Sequence, residues 1–357
     1  MLLVLVFVHE LGHFLAAKWS KIKVHEFAIG FPPKVLSWKK GETIYSLNLI
    51  PFGGFVRIHG ENPLDLEDDQ TDLNRSMVIK PWYTQAWVLV AGVLFNVLFA
   101  WILISISFMF GYPTAVDENS EVALKDSQIM IVHVAPNSPA SGAKLEPGEI
   151  ITAFTTNGKT ILPQTVEEVR ENIQNVATNT PIILEIKKDN ATRSVSILPV
   201  TGLVGDKPAI GISMSAVGIL KYAPHIAVWE GLKTTGFIFW ETTKGLCKLV
   251  YESVRGKASL ESVTGPIGIA GMVGNASQFG FLYLLGFTAL ISINLAVINL
   301  VPFPALDGGR LLIVFIEAAT RRKVPAVVQA YINGIGFLLL IGLMILVTVG
   351  DISKLFN

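Results

Sequence analysis

The chain has 357 residues, of which 51% are hydrophobic and only 16% charged, with a formal net charge of zero. Soluble domains average about 25% charged residues, so with a mean hydropathy of +0.53 the composition is that of an integral membrane protein. Zero net charge leaves no electrostatic footprint for nucleic acid, and a lone Cys247 excludes a disulfide framework or a cysteine-rich metal site.

The first element in chain order is an apolar run from Met1 to about Trp19 that encloses His9-Glu10-Leu11-Gly12-His13. HExxH on a helix sets two imidazoles one turn apart on one face, the spacing of two zinc ligands, with the glutamate near enough to act as a base on water. Ionisable residues inside a span cost roughly 2.5–3.5 kcal/mol each on insertion scales and are read as functional. The run lacks the basic leader of a signal peptide, since Lys18, Lys21 and Lys23 follow it. It is expected to be a spanning helix, and its shortness implies a gene product that starts further upstream.

Between Ser20 and Pro81, Tyr45–Ile50 alternates, and Pro51-Phe52-Gly53-Gly54-Phe55-Val56-Arg57-Ile58 follows. That reads as strand, glycine turn, strand. An open sheet edge cannot face lipid, so the hairpin must be shielded by protein or lie at the interface. The acidic stretch Asp65–Asp69 reads as a solvated loop. A second span is expected from Trp82 to about Phe110. From about Ala115 to Val200 polarity rises and short β-rich runs alternate with turns, with one helical pattern at Val166–Ile173, which predicts a small α+β domain. Tyr222–Lys257 is amphipathic, either packed on that domain or lying on the membrane surface. Third and fourth spans are expected at about Phe279–Val301 and Val324–Val349. Lys and Arg concentrate between spans one and two and between spans three and four. Those loops are then cytoplasmic, and the inserted domain and both termini extracytoplasmic.

A catalytic zinc takes three protein ligands and keeps one position open. The run Asn299-Leu300-Val301-Pro302-Phe303-Pro304-Ala305-Leu306-Asp307-Gly308-Gly309 follows span three directly. Its prolines break the helix, its glycines free the backbone, and such irregular backbone is tolerated at membrane depth only where protein or a water cavity surrounds it. Asp307 is therefore the expected third ligand, with Glu10 as general base and metal-assisted peptide hydrolysis as the reaction. Asn294 and Asn299 read either as interhelical hydrogen-bond donors or as substrate-binding residues. His25, His59, His133 and His225 have no partner at ligand spacing, and of these His59, which follows the hairpin, is the one to test.

These motifs resemble those of the site-2 protease family of intramembrane zinc metalloproteases, in its bacterial regulator of sigma-E protease branch. The resemblance rests on His9–His13, Pro51–Val56, Ala91-Gly92 with Asn96, Gly265–Ala270 and Asn299–Gly309. It implies Zn2+ on His9, His13 and Asp307, Glu10 as base, and Asn299 holding substrate near the metal. It implies that Gly53, Gly54 and Phe55 lie in a membrane-associated β-hairpin offering an edge to an extended substrate. The inserted domain is similar to a PDZ domain through Val134–Ala140 and Leu145–Ile151. In this branch such a domain acts as a size filter, with a spacer or a binder of C-terminal carboxylates as alternatives. Proteobacterial members usually carry two tandem PDZ domains where this chain has room for one. Val93 stands where Pro is frequent after Ala91-Gly92, and Pro32 where Gly is common in the Gly30–Pro33 turn.

The expected architecture is an α-helical polytopic membrane protein with four transmembrane helices, a membrane-associated β-hairpin and one inserted α+β PDZ domain. Residues 1–114 hold spans one and two with HExxH and the hairpin. The PDZ domain is 115–200, an amphipathic membrane-surface linker 201–266, and spans three and four 267–357. By resemblance the partners are single-pass transmembrane substrates such as a trimmed anti-sigma factor or a residual signal peptide, an upstream site-1-type protease and membrane lipid, in the bacterial inner membrane. The rival readings are a PDZ-bearing membrane scaffold with a relict metal site, and a metal-handling transporter, which would place more ionisable residues in spans two and four than are found there.

Overall fold

The computed structural model describes residues 1–61, 72–115, 128–188, 191–204, 207–256 and 265–356. Asp65–Asp69 lies outside them. The chain forms two units, one of Met1–Ile104, Val228–Ile269 and Thr288–Asn357, the other of Ser105–Ala227 and Ala270–Phe287.

The first unit starts with α1 (Leu2–Trp19), a hairpin of β1 (Val24–Lys40) and β2 (Thr43–Ile58), and α2 (Trp82–Phe110). Among the described residues, four helices are long and apolar enough to span a membrane: α1, α2, and two later ones, Phe281–Leu300 and the segment Ala326–Ser353. α1 and α2 approach through their smallest residues. A Cβ on Gly12 would stand 2.4 Å from the Ala91 carbonyl oxygen, so the backbones themselves touch, as small residues allow between membrane helices.

The hairpin departs from the expected strand–turn–strand. Its turn is at Gly41-Glu42, and Gly53-Gly54 lies inside β2, where the chain bends. Both strands bend at the middle and each half pairs separately. Glu26–Ile29 lies between Ile44–Leu47 on one side and Gly54–Arg57 on the other, and Lys34–Lys40 covers the far side of Thr43–Asn48. Two strands thus make four rows, and Gly54–Ile58 is an outer row with no further strand paired to it among the described residues. A turn at Gly53-Gly54 was expected because glycine pairs mark turns. Here Gly53, at φ +129°, bends the strand around Phe31, which a Cβ would meet at 2.7 Å. The true turn is clamped by Glu42, which accepts from Arg75 at 2.6 Å and Lys18 at 2.8 Å. The Arg75 guanidinium, then Lys18, hold the Glu42 carboxyl down at about 2.

The remaining helices are α5 (Pro224–Val254), α6 (Pro266–Gln278), α7 (Phe281–Leu300), α8 (Asp307–Thr320) and α9 (Ala326–Phe356). α5 leaves Trp229, Phe237, Trp240 and Tyr251 exposed, with Lys233 and Lys244 over the Trp229 and Trp240 rings. The helix is amphipathic, with aromatic rings and cations sharing its exposed surface.

The second unit contains a sheet in the order β3-β11-β4-β5-β7-β8, with β6 on β5. These are β3 (Tyr112–Ala115), β4 (Gln128–Val134), β5 (Ile150–Thr156), β6 (Lys159–Ile161), β7 (Ile182–Lys188), β8 (Ala191–Ile197) and β11 (Ile212–Leu220), with a small side hairpin of β9 (Val200–Val204) and β10 (Lys207–Ala209). α3 (Pro139–Gly142) is a single helical turn in the connection that follows β4, where Ser138 caps it and Pro139 opens it. α4 (Val166–Gln174) starts at a Thr165/Glu168 capping box. Ile131, Phe154, Val169, Ile182, Leu184 and Ile210 form its fully buried core. The sheet runs past residue 200. β11 pairs with β4 from Ile212↔Val134 to Val217↔Gln128, and the alternation of Ile212, Met214 and Ala216 with Ser213 and Ser215 is its strand signal.

Candidate metal centre

The site is built where one break between two helices meets a third helix. α1 carries His9, Glu10 and His13 on one face, as a 3.6-residue period requires. α7 ends at Leu300, Pro302 and Pro304 prevent its continuation, and Ala305 takes a left-handed φ of +71°. The chain then turns back so tightly that a Cβ on Gly308 would stand 2.3 Å from the Val301 carbonyl oxygen, and one on Gly309 2.2 Å from that of Phe303. The two glycines let α8 start against the loop that precedes it, which puts Asp307 in its first turn facing α1.

His9 Nε2 lies 3.0 Å from Asp307 Oδ2, His13 Nε2 3.2 Å from the same oxygen, and the two Nε2 atoms are 3.1 Å apart. One donor atom from each residue lies within 4.8 Å of the others. His13 Nδ1–H donates to the Val88 carbonyl at 2.8 Å, which leaves Nε2 as a lone pair aimed inward. Two imidazole lone pairs and a carboxylate converging on one point repel each other unless a cation lies between them, so this N, N, O set fits a divalent ion such as zinc. Opposite the ring nitrogens is Gly92, where a Cβ would stand 2.4 Å from His13 Nε2. The room at the ligand atoms therefore depends on glycine.

A cavity of about 170 Å³ opens beside the cluster, lined by Glu10, Phe55, Val56, Glu61 and Asp307 among others. Glu10 faces the outer row of the hairpin, and a Cβ on Gly54 would be 3.8 Å from Glu10 Cγ. Of the sequence-predicted residues, His9, Glu10, His13, Asp307, Gly54 and Phe55 therefore gather here. Gly53 does not: it packs on Phe31. Asn299 Nδ2 lies 3.4 Å from His9 Nε2. Asn294 instead meets Thr242 of α5 at 3.5 Å, the interhelical role. His59 has a partner that sequence spacing concealed: His25 Nε2 lies 3.1 Å from its Nδ1, in a pair away from the cluster.

Two contacts join residues whose partners the sequence did not name. Arg310, one turn after Asp307, forms an ion pair with Glu61 and also donates to the Glu61 carbonyl, tying α8 to the end of the hairpin. Asn96 of α2 is fully buried, with one amide atom 3.3 Å from His9 Nδ1 and the other unpartnered. For His9 to offer Nε2 as a ligand, Nδ1 must carry the proton and donate to the Asn96 oxygen, the half-turned orientation of that amide. Asn96→Leu is expected to weaken zinc binding roughly 10–100-fold in a chelator competition, while Asn96→Asp, which keeps the acceptor, stays near the parent. Equal affinity of the Leu variant and the parent would rule out this positioning role.

Two ring nitrogens and a carboxylate, with a glutamate outside the ligand set beside them, are the donor set that zinc metallopeptidases use. The chain belongs to Peptidase family M50, whose profile covers residues 1–343. The zinc metalloprotease RasP of Geobacillus kaustophilus is 30% identical over 99% of this chain and 96% of its own. The regulator of sigma-W protease RasP of Bacillus subtilis is 28% identical over the same shares. A Clostridium perfringens protein with a zinc-metalloprotease name is 36% identical over 98% of this chain and 95% of its own. A PDZ-domain structure from Listeria innocua aligns with 24% of this chain and 92% of its own, at 22% identity and a TM-score of 0.21, a likeness that bears on neither fold nor function.

Proposed function

We propose that this protein is an intramembrane zinc endopeptidase that hydrolyses peptide bonds in or near the membrane-spanning segment of single-pass proteins. The observation that carries the reading is the convergence of His9, His13 and Asp307, with Glu10 outside that donor set but lining the same cavity. His9, His13 and Asp307 hold the metal, which when bound polarises the scissile carbonyl and acidifies water. Glu10 takes the proton of the attacking water and delivers it to the leaving amide nitrogen. Asn299 lies within reach of the same point and steadies the substrate carbonyl.

A spanning helix must unwind before its peptide bonds can be cut, which frees backbone groups that lipid cannot satisfy. The outer row Gly54–Ile58 offers N–H and C=O groups to an extended substrate, and strand addition at an edge is a general mode of peptide capture. Gly54 and Phe55 belong to that edge, and Gly53 acts by bending the strand toward the site. The sheet-and-helix unit, read as a PDZ domain outside the cytoplasm, hinders bulky ectodomains and admits substrates already trimmed by another protease. The sigma-W regulation in the name of the Bacillus relative supports a trimmed anti-sigma factor as substrate, and a residual signal peptide has the same single-span chemistry. The bacterial inner membrane is the place where these components meet.

The experiment is cleavage of a single-span substrate by the purified chain. Cleavage should stop with a zinc chelator and return on adding zinc. Cleavage indifferent to chelation would overturn the zinc mechanism, and none at all in protein carrying zinc would favour the scaffold with a relict site.

A further inference from the structure

Where α2 begins and α8 ends, Lys80, Arg321, Arg322 and Lys323 line a cavity of about 210 Å³ together with Trp82 and a single carboxylate, Glu317. That carboxylate is already engaged: it receives Lys323 Nζ at 2.8 Å, the Val324 N–H at 2.9 Å and Gln329 Nε2 at 3.3 Å. Lys80, Arg321 and Arg322 have no carboxylate at ion-pair distance among the described residues. Four cations against one anion is a local excess in a chain whose charges sum to zero. The carbonyl dipole at the C-terminus of α8 favours a nearby cation. It accounts for one such charge on the loop after α8, but not for Lys80, which enters from the segment ahead of α2.

The cavity's position says what the charge faces. Trp82 opens a membrane-length helix, is 50% exposed, and packs on Phe315 with centroids 6.1 Å apart. Ile79, Phe315 and Ile316 are exposed on the same helix ends. An aromatic at the mouth of a span, apolar surface on one side and basic groups on the other, is the chemistry of the headgroup layer. Guanidinium forks match phosphate oxygens bidentately.

We propose that this cavity binds one phosphate-ester anion, presented by the headgroup of an anionic phospholipid at the end of α2. The inference goes beyond the peptidase reading and needs only that α2 spans the membrane. Free phosphate shares the chemistry, so the test separates the two sources. The full-length chain in neutral detergent is titrated with phosphatidylglycerol, phosphatidylcholine and inorganic phosphate, and binding is read by native mass spectrometry. Arg321 sits at φ +53°, which Asn tolerates, so the variant is Arg321→Asn with Arg322→Gln. A control, Lys233→Ala with Lys244→Ala, removes the same charge from α5. Phosphatidylglycerol is expected to bind more tightly than phosphatidylcholine, to lose roughly tenfold or more in the loop variant, and to be unchanged in the control. If inorganic phosphate binds alone with the same loss, the site is a phosphate site filled from solution. Equal binding of the two lipids, or equal loss in both variants, would overturn the proposal.

Discussion

Glu10→Gln is expected to lower kcat by about 10²–10⁴-fold, the range that positioned acid–base groups contribute, with zinc content unchanged. The three donor atoms converge from His9, His13 and Asp307, and Glu10 is not among them. Its carboxylate lines the cavity between the cluster and the outer strand of the hairpin, where an attacking water and a leaving nitrogen must both be reached. Gln keeps the size and the polarity but cannot accept a proton. Because the defect falls on proton transfer, KM should move little while kcat falls, and the variant should co-purify with uncut substrate. Cleavage at the parental rate by a zinc-loaded Glu10→Gln protein would refute the assignment. Loss of zinc along with activity would instead make Glu10 part of the ligand set.

Much of this site was legible because membrane insertion penalises polar residues. A glutamate and two histidines inside an apolar run carry a meaning that the same motif in a soluble helix would lack. The Pro–Pro–Gly–Gly break after α7 was legible for a related reason, since irregular backbone at that depth needs surroundings. The four long helices followed from hydropathy alone. Less was readable wherever geometry arises between distant segments. Gly53-Gly54 reads as a turn locally, and only the second pairing of Glu26–Ile29 shows it to be a bend within one strand. β11 joins the sheet between β3 and β4 from beyond the expected domain end, and its neighbour β4 lies some eighty residues earlier. The contact of Asn96 and the Arg310–Glu61 pair are invisible for the same reason: Asn96 stands out only through the family resemblance, and names no partner until α1 is laid against α2.

Gly92→Ala is expected to abolish zinc binding, weakening it by at least on the order of 100-fold, beyond the usual effect of altering groups that support a ligand. A Cβ there would stand 2.4 Å from His13 Nε2, 2.7 Å from His13 Cε1 and 2.8 Å from His9 Cε1. These are a ligand atom, its ring neighbour and an atom of the second ligand ring, so any adjustment comes at the expense of the metal geometry. α1 cannot retreat to make room, because Gly12 holds it against the Ala91 and Gly92 backbone at 2.4–2.9 Å by the same measure. His13 cannot swing aside either without breaking its bond to the Val88 carbonyl. Gly236→Ala on α5, where a Cβ meets nothing, supplies the contrast: it should leave zinc binding intact and add up to about 1 kcal/mol of helix propensity. Chelator competition and thermal unfolding on the same preparations separate the two effects. A Gly92→Ala protein that folds and holds zinc with parental affinity would mean that His9 and His13 do not bind the metal through the atoms that converge beside this glycine.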